Sequence, residues 1–307
     1  MTKSVLGIIG GSGFYDLELE NARWEAVASP WGTPSDEVRI GELAGLPVAF
    51  LPRHGRGHKI PPSEINYRAN IDALKRVGVT DLISVSACGS FRENLSPGTF
   101  VLVDQFIDRT FARAKSFFGT GCVAHVSMAY PVSSGLVAAV TKAAEAEEIS
   151  HHVGGTYLAM EGPQFSSLAE SHMYRAWGCD VIGMTNMPEA KLAREAEICY
   201  ATVAMVTDYD SWHDDHGEVD ISSILAVMKA NTENAARLVT RVASDFPKEH
   251  PACPDGSDTA LEFAIITAPE ARDPALLAKL DAVAAVFWAD LTASSQPAPH
   301  ISESRGP

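Results

Sequence analysis

Apolar positions along this chain fall into short runs, and between the runs they recur at helical spacing. That alternation builds a layered α/β fold. Runs at residues 5–9, 48–51, 82–85, 100–103 and 200–206 read as buried strands. Each ends in polar or glycine-rich sequence: GGSG, RHGRGH, SACGS, DQFIDR and TDYD. Residues 65–76 and 134–147 have helical spacing, with Leu136, Val137 and Val140 on one stripe. Residues 181–182 precede MTNMPE, where Pro188 suits the start of a helix running through Ala196. Residues 222–244 form a long amphipathic helix whose buried side is marked by Ile224, Leu225, Met228, Leu238 and Val242.

Composition changes after about residue 247. HPACPDGSD reads as a connector, 261–267 as a short strand and 274–286 as a terminal helix. Residues from 294 on are Pro- and Ser-rich, a composition that predicts disorder. The expected organisation is a main domain over 1–247, an extension over 248–293 packing on it, and a tail over 294–307. A chain of 307 residues with 46% hydrophobic content can bury a full core. A net charge of −15 disfavours nucleic acid and anionic membrane as partners. No apolar run approaches the ~20 residues of a membrane span. Five scattered cysteines without a CxxC pair, and no signal-peptide pattern, predict a cytoplasmic protein with reduced thiols.

The candidate chemistry sits at the strand ends. Asp208 and Asp210, spaced i, i+2 where a buried run leaves the core, fall on one face of an extended chain. Ligands of α/β proteins meet strands at their carboxyl ends. One protonated and one ionised carboxyl can read a ring that bears a basic nitrogen and an amino group, as adenine does. Alone, such a pair is more often a solvated strand end.

Several other strand ends suit an anion. Gly10, Gly11 and Gly13 allow close backbone approach, and Ser12 adds a hydroxyl. The third glycine of a dinucleotide loop and the GK[ST] of a P-loop are both absent. Arg53 offers a fork of donors with His54 beside it. His54 and His58 have the i, i+4 spacing of a metal pair, but the intervening glycines oppose the helix that this geometry needs. Arg56 and His58 read as solvated. Ser86 with the amides of Ala87 and Cys88, and Thr185, add further donors. Donor sets of this kind without a Mg²⁺ motif point to orthophosphate. Cys88 reads as a small buried apolar residue. The HDDH run at 213–216 looks like metal ligands, yet four adjacent loop residues cannot readily surround one ion, so no metal is expected. Glu161 either faces a sugar or braces its loop.

The strings SACGSFRENLSPG, DQFIDRT, MEGPQFSS and MTNMPEAKLAREAEICYATVAMVTDYD together resemble the trimeric purine nucleoside phosphorylase superfamily, and within it most closely the methylthioadenosine phosphorylases. The resemblance runs from about residue 5 to 242 and leaves the C-terminal segment largely uncovered. It implies a single-domain phosphorylase/hydrolase-like α/β fold, a central mixed sheet forming a distorted barrel flanked by helices. It also implies a homotrimer or a dimer of trimers, and no cofactor beyond phosphate as co-substrate. Motif by motif, it assigns phosphate to Ser12, Arg53, His54, Ser86, Ala87 and Thr185. Purine and ribose fall to Phe165, Ser166, Met184, Asp208 and Asp210. The 5′-methylthio group falls to Ile221, Ile224 and Leu225, with His125 brought from a neighbouring subunit. The family commonly has Thr where this chain has Ser12 and Ser86, a change that keeps the hydroxyl. Ser166 and Asp208 follow the 6-amino pattern; the 6-oxopurine branch has Glu and Asn there.

The implied reaction is phosphorolysis of 5′-methylthioadenosine to adenine and 5-methylthioribose 1-phosphate, a salvage step, with Asp208, Asp210, Ser12 and Arg53 as the catalytic set. Asp208 would protonate the purine at N7. Alternatives are a phosphorylase of methylthioinosine or 6-oxopurine nucleosides, a hydrolytic nucleosidase, and a non-catalytic nucleoside-binding protein.

Overall fold

A computed structural model of the chain describes residues 2–11, 17–213 and 221–284, with backbone only for 221–225. The strands are β1 (Leu6–Gly10), β2 (Glu20–Glu25), β3 (Val38–Leu43), β4 (Leu46–Pro52), β5 (Asp81–Ser90), β6 (Phe100–Val103), β7 (Gln105–Asp108), β8 (His151–Val153), β9 (Thr156–Ala159), β10 (Val181–Gly183) and β11 (Cys199–Tyr209). The helices are α1 (Tyr67–Arg76), α2 (Ser134–Ala146), α3 (Leu168–Ala176), α4 (Asn186–Glu195), α5 (Ile221–Asp245) and α6 (Pro274–Lys279). All strands join one mixed sheet ordered β2-β3-β4-β1-β5-β10-β9-β7, with β11 and β6 branching from β5 and β8 closing that branch.

β5 is the branch point. Its first residues pair in parallel with β1 on one side and β11 on the other, and its end turns to pair antiparallel with β10. Side chains alternate along these strands, so each strand feeds two cores. Leu82, Tyr200 and Ala204 pack with α1 and α4 residues such as Ile71, Leu74 and Leu192. Ile83, Val85, Ala201 and Val203 pack on the opposite side with Leu136, Val140, Leu238 and Val242 of α2 and α5. Near-continuous burial of β1, β5 and β11 is what a strand covered on both faces requires.

The predicted strands and the helices at α1, α2, α4 and α5 correspond closely to the observed elements. Met187 has extended dihedrals (φ −121°, ψ 131°), so the regular part of α4 begins at Pro188 as its fixed φ favours. Two expectations need correction. Residues 261–267 form turns with one isolated bridge, Ala124 to Ile265, because the Glu262 and Ala264 amides are taken by local turn bonds to Thr259 and Leu261 C=O. The terminal helix is a single short α6 starting at N-cap Asp273, not a helix reaching 286. The C-terminal segment lies on the main body: Glu197 accepts from the Leu261 amide, His125 N–H donates to Ala264 C=O, and Arg76 pairs with Asp281. The tail from 294 lies outside the described residues. Among the described residues no helix is long and apolar enough to cross a membrane.

Candidate active site

A cavity of about 1030 Å³ opens at the carboxyl ends of the parallel strands. Its walls include Gly11 after β1, Arg53 and His54 after β4, Ser86 to Gly89 in β5, Met184 and Thr185 after β10, and Thr207 to Ser211 at the end of β11. Strand register brings residues more than a hundred positions apart to one place.

Arg53 is 1% exposed and sits against Glu189, which is fully buried. Nε and Nη2 donate to the two Glu189 carboxylate oxygens at 2.8 and 3.1 Å, Nη1 to Val85 C=O at 3.0 Å, and Nη2 also to Ile9 C=O at 3.1 Å and Ser84 Oγ at 2.6 Å. Four of its five N–H donors are thus committed, leaving one on Nη1. Ser84 and Tyr200 hydroxyls donate to the same carboxylate at 2.7 and 3.0 Å. Sequence reasoning missed Glu189, whose position in a helix gave no sign of the pairing.

His54 lies in the same wall. Its Nδ1 is 2.8 Å from Ile60 C=O, so that nitrogen carries the proton and Nε2 holds the lone pair. Burial, with the neighbouring Arg53 and His58, holds the ring down to about 4, hence neutral at pH 7. His58 stacks on it at 4.1 Å. Arg56 turns out of the cavity to Asp36 and Glu37, at 2.7 and 2.9 Å, and lies over the Trp24 ring.

Ser86 donates to Asn186 Oδ1 at 3.1 Å, and Asn186 is held by the Tyr200 hydroxyl. Asp208 and Asp210 share the cavity floor. The register between β11 and β5 slips between Val206 and Asp208, a bulge that leaves Thr207 without an opposite partner. Bulges re-aim side chains next to sites. A Cβ built on Gly89 would stand 3.5 Å from Asp210 Cβ and 3.6 Å from Asp208 Oδ2, and 3.2 Å from Ile182.

The 160–165 loop forms another wall, with Phe165 81% exposed at its lip. Gly162 has φ +72°, and a Cβ there would meet Met184 Sδ at 2.5 Å, so only glycine lets this loop press on Met184. Glu161 braces rather than faces the cavity. It accepts from the Phe111 and Ala112 amides at 2.6 and 3.2 Å and from Arg113 Nε at 3.1 Å, and burial notwithstanding these bonds hold its carboxyl down at about 2. Arg113 in turn donates to Met187 C=O at 2.7 Å, to Glu161 C=O at 2.6 Å and to Met184 C=O. It ties two cavity walls together and carried no signal in the sequence.

The structure therefore gathers Arg53, His54, Ser86, Ala87, Phe165, Met184, Thr185, Asp208 and Asp210 around one space. Ser166 is buried just behind the wall, where Ser211 Oγ donates to its carbonyl at 3.0 Å. His125 is exposed, away from the cavity of this chain. Ser12 and the side chains of Ile221, Ile224 and Leu225 lie outside the described residues. From α5, Met228, Asn231 and Thr232 line the cavity. Of the HDDH run, His213 stacks on Tyr209 at 4.4 Å, and 214–216 are outside the described residues. Among the described residues no group of three His, Cys, Asp or Glu side chains is placed to hold a metal.

The profile of the phosphorylase superfamily matches residues 5–244. S-methyl-5′-thioadenosine phosphorylase of Bradyrhizobium diazoefficiens is 66% identical over 92% of this chain and 98% of its own length. The enzyme of the same name from Cereibacter sphaeroides is 64% identical over 92% and 98%. Among solved structures, a methylthioadenosine phosphorylase from an antarctic soil metagenomic library superposes with a TM-score of 0.87 at 44% identity, covering 92% of this chain and 99% of that one. The Schistosoma mansoni S12T adenosine/methylthioadenosine phosphorylase in complex with methylthioadenosine gives 0.75 at 35% identity, covering 79% and 91%. With its fold, its cavity and these relatives in agreement, the chain belongs to the phosphorylase superfamily and, within it, to the S-methyl-5′-thioadenosine phosphorylases.

Proposed function

We propose that this protein catalyses phosphorolysis of 5′-methylthioadenosine, releasing adenine and 5-methylthioribose 1-phosphate. The observation that carries the reading is one cavity with a polar donor wall (Arg53, Ser86, Thr185) at one side and the Asp208–Asp210 pair at another, in a chain 66% identical to an enzyme of that name. A phosphate oxygen attacks C1′ as the C1′–N9 bond breaks. Positive charge grows on the ribosyl ring and negative charge on the purine, and the site must meet both. Phosphate lies under C1′, held by the remaining Arg53 N–H, Ser12, Ser86, the Ala87 amide and Thr185, while the His54 Nε2 lone pair accepts its remaining O–H. Asp208 passes a proton to N7 of the leaving adenine, and Asp210 accepts from the 6-amino group. Met184 underlies the ribose, with Phe165 and Ser166 beside the base.

The 5′-methylthio group meets Ile221, Ile224 and Leu225. An exposed His125, remote from its own cavity, suits contribution to a neighbour's site in a homotrimer or a dimer of trimers. No cofactor enters the reaction, phosphate being a co-substrate, and the reaction belongs in the cytoplasm. Residues 248–293 are an extension packing on one catalytic unit spanning 1–247. The test is release of free base from methylthioadenosine, methylthioinosine, adenosine and inosine, with and without phosphate. Phosphate-dependent adenine release, fastest with methylthioadenosine, is expected. Release without phosphate, or preference for the inosine compounds, refutes it.

A further inference from the structure

The charges around the cavity do not balance a phosphate dianion in the way that the basic segment RHGRGHK suggests. Arg53 is neutralised by Glu189 at 2.8 Å, both buried. His54 is neutral, and Arg56 is spent on Asp36 and Glu37 outside the cavity. Asp210, the accepting carboxylate of the acid pair, lines the same space, and the chain as a whole carries −15. Phosphate entering there meets a negative field unless another cation faces it.

Lys59 is that cation. It is exposed, it lines the cavity beside His54 and His58, and among the described residues it is the one Lys or Arg of the cavity wall without a carboxylate in ion-pair range. Its backbone is fixed to the phosphate wall. Lys59 N–H and Ile60 N–H both donate to His54 C=O, at 3.0 and 3.2 Å, and the Ile60 carbonyl returns to the His54 ring. The same loop thus sets the His54 tautomer and carries the lysine.

Resting on the phosphorolysis reading, we infer that Lys59 is the phosphate-capture residue, a mobile point charge that draws orthophosphate into the cavity and supplies the positive charge that the Arg53–Glu189 pair withholds. A flexible ammonium suits this task, because it reaches the anion at the mouth and follows it inward. Rim charges act chiefly on association rate and its salt dependence.

The test compares wild type with Lys59→Gln, Lys59→Arg and a remote charge control, Lys142→Gln, whose lysine is exposed beside Asp245. Lys59→Gln is expected to raise KM for phosphate about 10-fold and to flatten the fall of kcat/KM for phosphate with added KCl. KM for methylthioadenosine should stay within twofold, and Lys59→Arg should recover most of the loss. A phosphate KM within twofold of wild type in Lys59→Gln, or an equal rise in Lys142→Gln, overturns the inference. Thermal upshift by inorganic phosphate alone gives the same comparison without turnover. A midpoint raised about 10-fold in Lys59→Gln supports the role. Equal midpoints, or no shift in wild type, overturn it even where no nucleoside is cleaved.

Discussion

Glu189→Gln removes one charge from a pair that has no access to water. The carboxylate accepts four hydrogen bonds, two from Arg53 and one each from Ser84 and Tyr200, between 2.7 and 3.1 Å. An amide keeps one oxygen as acceptor and turns an NH₂ towards donors that have nowhere else to go. Arg53 stays ionised, because its guanidinium does not release a proton in proteins. Breaking a buried pair from one side typically costs about 3–5 kcal/mol, most of it from the stranded charge. With roughly 2 °C of midpoint per kcal/mol in a chain of this size, the calorimetric midpoint should fall by about 6–10 °C. The double variant Arg53→Met/Glu189→Leu removes both charges at similar volume. Its loss should be well below the sum of Arg53→Met and Glu189→Leu measured singly, with a coupling of a few kcal/mol. A Glu189→Gln midpoint within 1 °C of wild type, or additive behaviour in the cycle, would refute the reasoning.

Asp208→Asn should lower kcat on methylthioadenosine by roughly 10²–10⁴-fold, the usual worth of a general acid, and steady-state rates near wild type would discard that role. Glu161→Ala frees the Phe111 and Ala112 amides, and hydrogen exchange at these two positions should accelerate by about 10-fold or more, while unchanged protection would show that the brace is dispensable. Glu195 is buried, with its carboxyl raised to about 7 by desolvation against bonds from Ser116 and Phe117. Its folded value lies above the unfolded one, so its contribution to stability is present below about pH 4.5 and is lost as pH rises through 7. Glu195→Gln should therefore flatten the fall in thermal midpoint between pH 5 and 8, and a parallel curve would contradict the assignment.

Much of the site was legible because strand ends are legible. Val206 ends a buried run broken only by Thr202, so Asp208 and Asp210 had to emerge together, and the mixed α/β layering followed from runs that need cover on both faces. What stayed hidden depends on distance in sequence. Nothing in LPRHG tells that Arg53 meets a glutamate 136 residues later, nor that Arg113 links Met184 to Glu161. The bulge at Thr207 is also silent, since it exists only as a mismatch with β5. Turns at 261–267 read as a strand because their composition is apolar and β-branched, whereas pairing needs an open edge. Lys59 passed unnoticed for the opposite reason: it is one basic residue in a basic segment, and only the pairing of its neighbours sets it apart.

The branching of the sheet at β5 bears on how the chain reaches this state. β5 is complete by residue 90, but the strand that covers its second edge ends at Tyr209, and the acid that neutralises Arg53 is residue 189. During synthesis at about 5–20 residues per second, several seconds separate the appearance of these partners. Throughout that interval an apolar strand with one open edge, and an arginine destined for the interior, lack what they will pair with. Contacts of such long sequence separation slow folding and leave edges exposed to other chains. Until about two thirds of the chain has emerged that edge and that arginine stay unpaired, and the cavity, lined from both sides of the delay, forms only after it.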